Sequence, residues 1–188
     1  ALAMLKDSTT LHTLKLNLSS NKIRAEGAEA LAMVKESTAL HTLSLNLSDC
    51  SFGKSGALAL AALKSSSAIH TLDLNLFGNR IGVDGAQALA TLKDCAALHT
   101  LNLDLGFNRV RDAGAQALAA LGTSARLHTL ILSLYDNDIG PGARALAALK
   151  DSTTLNTLYL DLSCNQVGDD GALALAALKD STALHTLN

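Results

Sequence analysis

Six histidines recur at one fixed place along the chain: His12, His41, His70, His99, His128 and His185, with Asn156 filling the remaining place in the series. Imidazole is the side chain best suited to binding a metal or changing charge near neutral pH. If the segments between them coil so that the histidines stack, neighbouring rings lie about one strand spacing, ~4.8 Å, apart. Two such rings could share a metal ion. A good site, however, needs three or four ligands converging at ~2.1 Å, and a straight column supplies that poorly. No Asp, Glu or Cys recurs beside the column, so neither a metal nor any other cofactor is expected. The plainer expectation is a solvated or hydrogen-bonded stack. Adjacent rings repel once protonated, so acid should weaken the protein.

Other chemistry is harder to find. Cys50, Cys95 and Cys164 are odd in number and show neither disulfide nor zinc spacing. Gly140-Pro141-Gly142 imitates the start of a dinucleotide loop but lacks the third glycine and its βαβ context. Ser, His and Asp are plentiful, yet no position joins a nucleophile, a base and an orienting acid beyond what the repeating pattern produces. The expectation is a protein that is not an enzyme.

The elements that position these residues follow from the period. The phrase LHTL, or a near copy, begins at Leu11, Leu40, Ile69, Leu98, Leu127, Leu155 and Leu184; only the step from Leu127 to Leu155 is 28 residues rather than 29. A fixed period in this range means one structural unit stacked into an array. Each unit has two hydrophobic periods. Leu14, Leu16 and Leu18 alternate with polar Lys15 and Asn17, as in a strand with one buried face. Ala28, Leu31 and Val34 recur at helical spacing after Gly27. Strand, turn, helix and return make one coil of a right-handed parallel solenoid, whose leucines are buried only against the next coil. Residues 1–188 form a single array, with a partial helix over 1–10 and a partial repeat from 184.

Two further columns complete the unit. Asn21, Asn79, Asn108, Asn137 and Asn165 stand where the strand ends, with Cys50 in the second repeat; their amides can serve backbone groups that stacked turns leave buried. Gly27, Gly56, Gly85, Gly114, Gly142 and Gly171 stand where a helix is expected to start, and permit a close backbone approach or an unusual dihedral.

These residues resemble a leucine-rich repeat of the ribonuclease-inhibitor type, LxxLxLxxNxLxxxGxxxLxxxL. Leu16, Leu18, Asn21, Ile23, Gly27 and Leu31 match it in register, and the match recurs six times over nearly the whole chain. Similar repeats occur in NOD-like innate-immune receptors and in the activator of the Ran GTPase. The resemblance implies an α/β horseshoe of about six repeats, with a parallel concave sheet and outer helices. The strand is longer by one alternating pair and the alanine-lined helix shorter by one residue than the family pattern, which predicts a flatter arc.

Outward positions of the strands should carry function. The third is always threonine. The fifth varies most: Lys15, Ser44, Asp73, Asn102, Ile131, Tyr159; the seventh reads Asn17, Asn46, Asn75, Asp104, Ser133, Asp161. Beyond the strand ends come Phe77, Phe107 and Tyr135. The expected partner-binding set is Lys15, Asp73, Asn102, Asp104, Ile131, Tyr135, Tyr159 and Asp161, because aromatic anchors with a polar rim are what protein interfaces favour. The leading expectation is a scaffold that docks a protein on its concave face. A regulator of small GTPases, suggested by the resemblance alone, is the second reading. A fragmentary or consensus-like array without a function of its own is the third.

Composition adds limits. A net charge of −2, with no basic stripe, argues against nucleic acid as a partner. No apolar run reaches membrane-spanning length. The missing cysteine-bonded caps favour an intracellular, cytoplasmic setting. The array lacks polar terminal caps, so head-to-tail association through its ends, or excision from a longer array, is expected.

Overall fold

The computed structural model describes residues 2–188. Among them, seven strands form one parallel sheet in sequence order. They are β1 (Thr13–Asn17), β2 (Thr42–Asn46), β3 (Thr71–Asn75), β4 (Thr100–Asp104), β5 (Thr129–Ser133), β6 (Thr157–Asp161) and β7 (Thr186–Leu187). Register is strict: each residue pairs with its equivalent one repeat on, so Thr13, Thr42, Thr71, Thr100, Thr129, Thr157 and Thr186 make one row. β-branched residues facing each other across strands favour this pairing. A one-residue slip would turn every leucine outward, which is why burial of one face fixes the register.

Helices lie on the other side of the core: α1 (Ala25–Ala32), α2 (Gly53–Ala61), α3 (Gly82–Ala90), α4 (Arg111–Leu118) and α5 (Gly168–Ala176). Each continues into a short 3-10 turn, such as Thr91–Asp94 after α3. Leu72 and Leu74 from β3 and Leu76 just past it meet Ile81 from the turn, Leu89 from α3 and Leu92 from its 3-10 tail in a continuous dry core. The partial helix at the chain start is a 3-10 segment, Leu2–Asp7; Ala1 lies outside the described residues.

Three features depart from the sequence reading. The glycine column does not open the helices: Gly85 is the fourth residue of α3, and no member of the column is among the positive-φ residues. Its role is room. A Cβ at Gly85 would sit 2.3 Å from Ile81 Cγ2, and one at Gly56 would sit 2.2 Å from Phe52 Cδ2. The apolar side chain of the preceding turn folds under the helix there. Second, the fifth repeat contains no α-helix. Its helical segment, Pro141–Asp151, is 3-10 throughout, starting on a proline that needs no hydrogen-bond acceptor. At roughly 1.5 Å per α residue and 2.0 Å per 3-10 residue, the fifth repeat's tighter coil and α3 with its 3-10 tail both span about 21–22 Å. A shorter repeat thus bridges the same distance. It also draws close to α4, where a Cβ on Gly142 would meet Asp112 Cα at 2.5 Å.

The third feature is a column the sequence reading passed over. Ser37 Oγ accepts the N–H groups of Ala39 and Leu40, and Ser66, Ser124, Ser152 and Ser181 repeat the arrangement. These hydroxyls turn the chain from the helix tail back into the next strand. Cys95 takes the place between Ser66 and Ser124 in that column, as Cys50 takes a place among the asparagines.

Candidate functional site

The open face of the sheet carries two rows. Fifth-position residues run Lys15, Ser44, Asp73, Asn102, Ile131, Tyr159 from β1 to β6, and seventh-position residues run Asn17, Asn46, Asn75, Asp104, Ser133, Asp161. Their leucine neighbours point into the core, so these side chains have no alternative to the open side.

The first half of the fifth row is polar and internally bonded. Ser44 Oγ donates to Asp73 Oδ2 at 2.8 Å, and Asn102 Nδ2 donates to Asp73 Oδ1 at 3.0 Å. Both carboxylate oxygens of Asp73 are therefore engaged, across three strands. Lys15 stands apart on the exposed edge strand β1.

The second half is apolar with an acidic border. Ile131 and Tyr159 are direct register partners on β5 and β6, and Tyr159 is 37% exposed. One pair of residues along the strands lie Asp104, Ser133 and Asp161. Asp161 accepts hydrogen bonds from the Ser163 hydroxyl and the Ser163 N–H, and these hold its carboxyl below the usual carboxylate range despite partial burial. The site thus offers a hydrophobic pair beside an ionised carboxylate, suited to an apolar side chain accompanied by a cation or hydroxyl.

The seventh row is also structural. Asn17, Asn46, Asn75, Asp104 and Asp161 each accept, through Oδ1, the N–H two residues ahead. This Asx geometry guides the strand exit, so the preference for Asn or Asp there is partly a turn requirement. The recurring N-x-S and D-x-S spacing carried that signal.

The aromatic residues form a separate cluster. Phe77 stacks on Phe107 with ring centroids 6.1 Å apart and reaches Tyr135, two repeats on, at 6.5 Å. It passes over Gly106, where a Cβ would lie 2.6 Å from Phe77 Cδ2. The neighbouring Cys164 thiol, with the negative charges of Asp136 and Asp161, raises the Tyr135 phenol above its ordinary range. The cluster lies in the turns past the strand ends: Tyr135 is two residues beyond β5 and four beyond Ile131. The sequence-derived set is thus divided: Asp104, Ile131, Tyr159 and Asp161 share adjacent strands, Asp73 and Asn102 form the polar network, and Tyr135 belongs to the loop cluster.

No group of three or more His, Cys, Asp or Glu converges in a metal-binding arrangement among the described residues. No helix among them is long and apolar enough to cross a membrane.

Comparison with known proteins agrees with this geometry. The family profile described as Leucine Rich repeat matches residues 10–32, 40–61, 70–90, 97–119 and 152–176. The chain belongs to the leucine-rich repeat family. The matched segments leave out the short fifth repeat, which nonetheless occupies an ordinary place in this leucine-rich array. No curated protein matches by sequence. Among solved structures, the tropomodulin C-terminal domain of Caenorhabditis elegans is similar with a TM-score of 0.54 at 13% identity, over 95% of this chain and 91% of that one. Leiomodin-1 Actin-Binding Site 2 is similar with a TM-score of 0.53 at 18% identity, over 96% of this chain and 86% of that one. At such identities these likenesses concern the fold.

Proposed function

We propose that this leucine-rich repeat array is a non-enzymatic protein-binding module that docks its partner on the open face of the sheet, anchored at Ile131 and Tyr159. The observation that carries the reading is the pairing of these two residues on adjacent strands beside ionised Asp161. They are large apolar side chains in a row that is otherwise polar, on a sheet whose core side already holds every leucine the fold needs. Rigid strands spare the partner the entropy of ordering its target. Asp104 and Asp161 select a partner segment with a basic or hydroxyl-bearing residue next to its apolar anchor.

A photo-crosslinking residue at position 159 tests this against one at Gln87, which is exposed on α3. A discrete protein adduct from position 159, lost when Ile131 becomes Asp, is expected. Equal labelling from both positions overturns the reading. Actin is the first purified partner to assay, because the matching region of leiomodin-1 is described as an actin-binding site.

A further inference from the structure

Just past the strand ends, two columns of left-handed residues flank the asparagine column. Asp49, Gly78, Phe107 and Asp136 have φ of 54°, 69°, 58° and 48°, and Ser51, Arg80, Arg109 and Asp138 have φ of 57°, 57°, 58° and 55°. Between them runs a groove of about 510 Å3. Its polar character and its place on the loop edge separate it from the sheet face.

The fold does not explain why arginine occupies two of these places. Left-handed backbone suits Gly, Asn and Asp, and the same place in the coils on either side holds Ser51 and Asp138; Arg111, also left-handed at φ 57°, opens α4 and does not line the groove. α3 and α4 begin within two residues of Arg80 and Arg109, where the helix dipole favours acid over a cation. Neither guanidinium gains an ion pair in return: among the described residues every ion pair uses a lysine. Phe107 poses the same question. It takes the left-handed place that Gly78 holds one coil earlier, and it is 58% exposed.

We infer that this groove is a second binding site, and that it takes an acidic segment of a protein partner. Arg80 and Arg109 stand one coil apart, about 5 Å, and their planar forks match a carboxylate held between them. Phe107 offers an exposed ring to an apolar or aromatic side chain of the same segment. Asp136 and Asp138 close the groove at its far end and Asp49 at the near end. That order of charge admits a short acidic stretch followed by a basic residue and repels a polyanion such as a nucleic-acid strand. The occupant is therefore a peptide with one or two carboxylates and an adjacent ring.

A random-peptide selection on the whole chain, counter-selected on R80G/R109G, tests the assignment. Glycine suits both left-handed turns, so the double variant should melt no lower than the parent, and any loss of binding then reads the guanidinium groups. The expected peptides carry Asp or Glu within four residues of an aromatic, and they lose about tenfold or more in affinity on the double variant. Selected peptides without acid, or peptides that bind the double variant equally, overturn the proposal. So does a selection that yields no arginine-dependent peptide. The readout concerns the groove only, so its failure leaves the sheet-face reading intact.

Discussion

Two ladders of nitrogen-bearing side chains cross the same coils, one at each end of the strands, and they are built in opposite ways. Asn79, Asn108 and Asn137 are fully buried. Asn108 is representative: its amide donates to the carbonyls of Leu76, Leu105 and Gly106 and accepts the N–H groups of Asn79 and Ile81. One side chain satisfies backbone groups of two coils. The histidines instead meet ring to ring, with centroids 5.1 to 5.5 Å apart: His12 meets His41 edge-on, His41 is tilted against His70, and His70, His99 and His128 stack. Nδ1 of His12 and of His41 both point at the Ala39 carbonyl, which can only accept, so the protons lie on Nδ1. The amide cannot take up a proton, so it can be buried without an acid penalty. The imidazole can, and the array keeps it near the surface.

The contrast makes the asparagine column the point of greatest sensitivity. Asn108→Ala leaves several buried backbone groups without partners and should cost about 3–5 kcal/mol in urea unfolding. Asn21→Ala, at the exposed end of the same column, should cost under about 1 kcal/mol. Equal losses at the two positions would mean that ladder membership, and not burial, sets the cost.

Acid tests the other ladder. The pKa of His99 lies below its ordinary value, chiefly through desolvation and then through His70 and His128. A lowered folded-state pKa means the unfolded chain takes protons first. Stability is complete above the ordinary histidine value of 6.5 and falls as pH drops towards the folded-state value. Thermal melting should therefore decline between pH 7.5 and 5, and His99→Asn should reduce the decline. Asparagine already stands in this column at Asn156, donating towards the Ala183 carbonyl. An unchanged pH dependence in the variant would show that neither burial nor its neighbours' charge ties His99 to the acid loss.

A gain in stability is expected at the break in the amide column. Cys50 directs its thiol to the carbonyls of Leu18 and Ser48, leaving no oxygen to accept from the turn of Asn21. Cys50→Asn should supply that acceptor and raise stability by about 1 kcal/mol. A loss would indicate that the buried site is too tight for an amide at that coil.

Much of this was legible in the sequence because a repeat averages out local ambiguity. The strand leucines, the threonine row and the asparagine column each recur often enough to fix their roles, and the structure places them accordingly. Helix starts were not legible. The glycine column looked like a boundary, whereas it reflects a side chain from the previous turn lying beneath the helix, a contact that has no local signature. The candidate site was legible in part. Ile131 and Tyr159 fall on neighbouring strands by simple counting. The tie between Asp73, Ser44 and Asn102 depends on rotamers, and the reach of Phe77 across Gly106 to Tyr135 joins residues two repeats apart.

The fifth repeat shows how such an array can absorb an in-frame loss of one codon. Its helical segment lengthens its rise per residue, so the strands on either side keep their alignment with Thr129 facing Thr157. Mutational change in these connecting arcs is thereby insulated from the sheet, and lineages can trim or extend single repeats without rewriting the rest.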